Sequence, residues 1–278
     1  MYLNTTNPAL ASIDDLTQTD KIAVTAVKVS IPSINMQMYA AQRYGAAQAF
    51  RFDRYTVTMT HADALIALLS GGNQINAHFT SPPFHQREIK DPRVRTLLNT
   101  DDIMGGATTF TMLSTTARFR EANPGAYAAV LAALEEANEL IRSDPRAAAE
   151  ILFAAESAAG FSVDELVEVL RDPDIRFTTT PENTLKYAEF MRTIGSIENQ
   201  PSSWRDLFWR DCADRPDRSA KAALGQRVQD DRHVGSFVVA STERLDHQET
   251  SVERRDVVRG ARTAGRRRRR VEQLGGSP

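Results

Sequence analysis

Two neighbouring stretches, residues 21–44 and 61–84, each set a short apolar run against an amphipathic one, and that alternation restricts the chain to an α/β architecture. In the first, Lys21-Ile22-Ala23-Val24-Thr25-Ala26-Val27 is short, β-branched and apolar, the pattern of a buried strand. A helix is predicted directly after it. Ser30 stands at the N-cap position, Pro32 suits the first turn, and Ile34, Met38 and Ala41 recur at helical spacing. In the second, Leu65, Leu68 and Leu69 form an apolar helical face that Gly71-Gly72 ends. A short strand, Ala77-His78-Phe79-Thr80, then runs into Ser81-Pro82-Pro83. The prolines cannot continue a hydrogen-bonded ladder, so the chain is expected to leave the sheet at Ser81 and expose polar and aromatic groups there.

The carboxyl ends of such strands are where open α/β sheets bind ligands. A strand-to-helix junction also turns backbone N–H groups and the positive end of a helix dipole outward, which favours an anionic group. Ser30 and Ile31 at the first junction, and Phe79, Thr80 and Ser81 at the second strand's end, are therefore candidate ligand contacts. An ordinary βα unit with a solvated cap has the same sequence appearance.

Several dispersed segments carry a more specific signal. Tyr2-Leu3-Asn4-Thr5, Ala26-Val27-Lys28-Val29-Ser30, Leu68-Leu69-Ser70-Gly71, Ala77 through Phe84, Phe177-Thr178-Thr179-Thr180-Pro181 and Ser203-Trp204-Arg205-Asp206-Leu207-Phe208 occur in that order. Together they resemble the extracytoplasmic solute-binding proteins of nitrate/sulfonate/taurine-type ABC transporters, over about the first three quarters of the chain. The resemblance implies a periplasmic-binding-protein type II fold: two α/β lobes with central mixed sheets flanked by helices, joined by two crossing segments around a cleft. It places lobe two at about residues 20–105 and a return to lobe one at about 106–209, and adds Asn4 and Thr5, on the strand leaving lobe one, to the ligand contacts. It further implies a small, anionic or sulfonate/nitrate-like solute, a cognate permease and ATPase as partners, a periplasmic location, and neither a catalytic residue, a cofactor nor a metal.

The chain departs from that pattern at both ends. Met1-Tyr2-Leu3-Asn4 opens in what resembles a mid-protein strand, without a basic and apolar leader, so lobe one is expected to be incomplete and the chain as written to stay cytoplasmic. Beyond Trp209 the composition shifts: residues 210–278 carry about five more basic than acidic residues, which leaves about −7 on residues 1–209 of the overall −2. The run Arg266-Arg267-Arg268-Arg269-Arg270 dominates, with few large apolar residues, so an unstructured tail is expected. Out-of-frame translation past Trp209 is a second reading. Arginine runs contact phosphates non-specifically, but no aromatic interleaving or nucleic-acid motif accompanies this one, and nucleic acid is not expected as a partner.

With 278 residues, 41% hydrophobic and 25% charged, the chain has the composition of a globular protein and no apolar run of membrane-spanning length. The single Cys212 excludes an internal disulfide framework and a multi-cysteine metal site. Strands are expected at residues 94–98 and 108–113, with Gly105-Gly106 as a tight turn or hinge crossing between them. Helices are expected around Tyr127 to Ile141, over 146–158, from the capping box Ser162-Val163-Asp164-Glu165 to Leu170, and from near Pro181 to about Ile194. Hydrolase, phosphate-loop and dinucleotide motifs are missing. His61, His78 and His85 lack zinc spacing and read as a helix-start, a packed hydrogen-bonded and a surface histidine respectively. Two alternatives stay open in the same fold: binding of a pyrimidine precursor or an enzyme like the thiamine-pyrimidine synthases, which needs a cysteine-rich motif, and the effector-binding module of a transcription regulator, which needs a helix-turn-helix.

Overall fold

The structure is a computed structural model that describes residues 1–72, 74–156 and 160–209 and the strand at 237–241. Its centre is a five-stranded mixed sheet of β1 (Tyr2–Thr5), β2 (Ile22–Val24), β3 (Thr56–Thr58), β4 (Ala77–Thr80) and β5 (Arg95–Asn99), in the order β3-β2-β4-β1-β5. β2 runs parallel to β3 and β4, whereas β1 is antiparallel to both β4 and β5. The carboxyl ends of β2, β3, β4 and β5 and the start of β1 therefore share one edge.

Alternation along the strands divides the apolar side chains between two faces. Ile22, Val24, Leu3, Ala77 and Phe79 join one cluster with Met36 and Met38 of helix α1 (Ile31–Tyr44) and with Phe52 and Tyr55 of a 3₁₀ segment, Ala46–Tyr55. Ala23 faces the other way and meets Ala64 and Leu68 of α2 (His61–Leu69). Burial of each large side chain contributes about 1.5–3 kcal/mol, so this pattern fixes which face each helix covers. The second face also carries polar groups from β1 and β4. Asn4 and His78, opposite each other in the register, lie under α3 (Phe84–Glu88) and the start of α2.

After β5 the chain forms α4 (Thr100–Met104), which Gly105 closes at φ 69°, and then β6 (Thr111–Thr115). A helical layer follows: α5 (Ala117–Ala122), α6 (Pro124–Ser143), α7 (Pro145–Glu156), α8 (Val163–Leu170) and α9 (Thr184–Thr193). In α6, Tyr127 and Leu131 are buried against Trp209, and Glu135, Glu136 and Glu139 lie on the exposed side. Ser162 and Glu165 form the reciprocal capping box that starts α8. Among the described residues no helix is long and apolar enough to cross a membrane.

The protein is thus α/β, with a mixed sheet flanked by helices. Four local expectations are corrected. His85, expected at the surface, is buried, because its ring stacks on Tyr2 at 3.6 Å and its Nδ1 meets Asn4. Phe79, Thr80 and Ser81 are buried rather than exposed: Phe79 packs into the cluster against α1, and the Ser81 carbonyl accepts from the His85 N–H where the chain turns into α3. The expected strand at 21–27 stops at Val24; Ala26 instead closes a turn, its carbonyl accepting from the Ser30 N–H and the Ser30 and Ser33 hydroxyls. The tail expected to lack structure contains β7 (Phe237–Ser241), parallel to β6, formed by the one β-branched apolar run in that region. The remainder of the tail, Cys212 and the five-arginine run lie outside the described residues.

Candidate functional site

At the shared edge of the sheet, residues 106–187 fold back over the start of β1 and the exit from β4, enclosing a cavity of about 270 Å³. The sheet side supplies Met1 and Tyr2, Pro82 and Pro83, and Thr100 and Asp101 at the start of α4. The facing wall comes from Thr108, Phe110 and Thr111 leading into β6, from Leu152 of α7 and Leu166, Val169 and Leu170 of α8, and from Asp174, Ile175, Phe177 and Tyr187. The volume is near the lower end of small-molecule cavities, which run from about 300 to 1,000 Å³.

Local chemistry fixes these walls. Asn99 caps α4 by accepting from the Asp101 N–H at 3.1 Å, and the Thr100 N–H donates to the Met1 carbonyl at 2.9 Å, so the β5–α4 corner is tied to the start of β1. Asp172 accepts from the Asp174 N–H at 2.9 Å and from Gln86 Nε2 at 3.0 Å, which anchors the Asp172-Pro173-Asp174 turn to α3. Tyr187 donates its hydroxyl to Asn35 Oδ1 at 2.9 Å and so fastens α9 to α1. Its hydroxyl is pushed up to about 12 by burial. The Tyr2 hydroxyl is raised as well, first by burial and then by Asp174, Asp172 and Asp101. Both phenols are therefore neutral hydrogen-bonding groups at pH 7. Burial pushes the Met1 amine down to about 6, against the opposing pull of Asp101.

The electrostatic character of the lining is acidic. Asp101 and Asp174 are its ionisable carboxylates, and no lysine or arginine lines it among the described residues. Nearby cations are engaged elsewhere: Arg176 pairs with Glu182, Lys186 donates to the Met104 carbonyl, and Arg87 binds Glu165 at 2.7 Å. Asp174 Oδ1 is buried and accepts no hydrogen bond.

A buried polar chain runs from this cavity into the second face of the sheet. Tyr2 stacks on His85, and Asn4 Nδ2 lies 3.0 Å from His85 Nδ1 and 2.9 Å from Glu88 Oε2. Glu88 Oε1 accepts from His78 Nδ1 at 2.6 Å, and His78 Nε2 meets His61 Nδ1 at 2.8 Å. Burial pushes His61 and His85 down to about 4. Among the described residues no group of three or more histidine, cysteine, aspartate or glutamate side chains has a metal-holding arrangement.

The seven candidate contacts are dispersed by this geometry, and none lines the cavity. Asn4 belongs to the buried chain, and Thr5 donates to the Asn76 carbonyl at the opposite edge of the sheet. Ser30 occupies the N-cap position of α1, but its hydroxyl donates to Ala26 at 2.6 Å instead of capping; Ile31 beside it is partly exposed. Phe79 is buried in the cluster under α1, and Thr80 and Ser81 are buried as well. Residues that do line the cavity include Tyr2, Pro82, Pro83 and Phe177, all of which lie inside segments that carried the family resemblance, whereas Asp101, Phe110, Asp174 and Tyr187 had no motif around them. The Asp-Pro-Asp turn was the one local signal for the latter group. This chain matches no protein-family model, no curated protein and no solved structure.

Proposed function

We propose that the protein is the solute-binding component of an ABC importer, capturing a small molecule and presenting it to a permease and its ATPase. The observation that carries this reading is the cavity itself: it lies at the edge of a mixed sheet where four strands present their carboxyl ends, roofed by a segment that returns over it from sequence 106–187. A strand entering antiparallel between β4 and β5 is also what a segment crossing in from another lobe would leave, in agreement with the resemblance of the Tyr2–Thr5 run. Binding would proceed by closure of residues 106–187 over the sheet edge, with the aromatic walls supplying contact area and the polar groups orientation. No reaction is assigned, and the periplasm is the compartment such a role requires.

Thermal unfolding of the full chain against nitrate, sulfonates, taurine, pyrimidine precursors and small organic amines tests the reading. Selective binding to the folded state raises the melting temperature, and does so further as the ligand concentration climbs above Kd. At least one solute should stabilise the protein, and Val169→Phe, which fills the cavity from α8, should abolish that response. Absence of any response across the panel would contradict the assignment.

A further inference from the structure

The geometry points to a small organic ammonium ion, with an apolar or aromatic body, as the solute of this cavity. The inference rests on the solute-binding reading and names the ligand class. An anion entering here would meet the carboxylates of Asp101 and Asp174 without a basic side chain among the described lining residues, and in a partly desolvated cavity that repulsion is weakly screened. The neighbouring cations offer no compensation, since Arg176 is bound to Glu182 and Lys186 to the Met104 carbonyl. A cation meets the converse.

Two features show that the lining is arranged for such a guest. Of the paired aspartates in the 172–174 turn, Asp172 is consumed by structure, bonding the Asp174 N–H and Gln86. Asp174 reaches the cavity with Oδ1 buried and lacking a hydrogen bond, a group whose desolvation an ammonium N–H would offset. The remaining walls present Tyr2, Phe110, Phe177 and Tyr187, whose ring faces attract a cation while their area covers its apolar body. The separate acidic and aromatic features thus converge on one ligand chemistry.

Calorimetric titration of the full chain at neutral pH with phenethylammonium and choline, beside phenethyl alcohol, benzenesulfonate, taurine and nitrate, separates the possibilities. The ammonium ions should bind about tenfold or more tightly than the neutral and anionic compounds. Asp174→Asn should erase that preference and raise the melting temperature of the ligand-free protein, because the unsatisfied carboxylate is gone; Asp102→Asn, an exposed neighbour on α4, should change neither. Preference for benzenesulfonate or nitrate would overturn the cation assignment and leave the solute-binding reading standing, as would ammonium binding indifferent to Asp174→Asn. Binding of none of the six compounds, with no thermal response to the wider panel, would overturn both. The preference of the unaltered chain decides the matter even where a variant fails to fold.

Discussion

Glu88 is fully buried, and both of its carboxylate oxygens are committed, one to His78 at 2.6 Å and the other to Asn4 at 2.9 Å. It holds the tautomers of the chain it belongs to. With His78 Nδ1 donating to Glu88, His78 Nε2 faces His61 Nδ1 at 2.8 Å and the line is complete. Thr96 fixes the other end by donating to Asn4 Oδ1 at 2.7 Å. Removing the carboxylate would strand two buried donors and leave a void under α3. Glu88→Ala should therefore lower stability by about 3 kcal/mol or more, read from the urea midpoint. No local pattern announces this chain: Asn4, His78, His85 and Glu88 are separated by strand alternation and a turn, and their meeting depends on the Asn4–His78 register and the path of α3. Of the three histidines, the packed reading of His78 was available because its apolar neighbours flank a strand. His85 follows two prolines, a context that looks solvent-exposed until α3 turns back over the sheet.

At the scale of elements, α8 is latched to α3 by one arginine. Arg87 donates to Glu165 Oε1 at 3.1 Å and Oε2 at 2.7 Å, donates to the Gly160 carbonyl at 2.9 Å, and stands 3.7 Å over the Phe161 ring. Since Val169 and Leu170 of α8 line the cavity, this latch sets the position of one wall. Arg87→Ala should cost about 1–2 kcal/mol after allowance for solvent screening at a partly exposed pair, and should speed amide exchange in α8 ahead of the sheet strands. The helix itself was legible beforehand, because the Ser162-Val163-Asp164-Glu165 capping box is a local signal and the structure forms it. α6 was legible for a similar reason, its apolar stripe being long enough to fix a period. The five-residue helices α3 and α4 were not: each is shorter than two turns, and they are held by partners far away in sequence, α3 by Asn4 of β1 and α4 by Met1 and by Gln42 of α1. The strand predicted at 108–113 formed three residues later, at Thr111–Thr115, because Thr109 is drawn into hydrogen bonds with Glu182.

For the whole molecule these local arrangements combine into a dependence on pH with two separate limbs. His61 and His85 are held down to about 4, in both cases chiefly by burial, whereas an unfolded chain leaves them near 6.5. Between those values the unfolded state binds more protons, so acid favours unfolding. The contribution of these histidines is complete above about pH 6.5 and falls as the pH drops toward 4, by at most about 3 kcal/mol for each. Glu165 contributes to the lower limb, alongside Asp91, which Arg93 holds down to about 2. Arg87 holds the Glu165 carboxyl down to about 2, so its contribution is complete above the ordinary glutamate value of 4.5 and is lost progressively as the pH falls from there toward 2. The two limbs belong to opposite sides of α3: the histidines lie between it and the sheet, and Glu165 lies on its outer neighbour α8. Urea midpoints measured from neutral pH down to about 3 should decline first along the histidine limb and then along the carboxylate one. His85→Gln should reduce the upper slope by about half and leave the lower limb in place, while Glu165→Gln should do the reverse. A midpoint that stays level between about pH 6.5 and 4 would mean that the histidines are not held neutral by the fold, and the buried chain from Tyr2 to His61 would then have to be rearranged in solution.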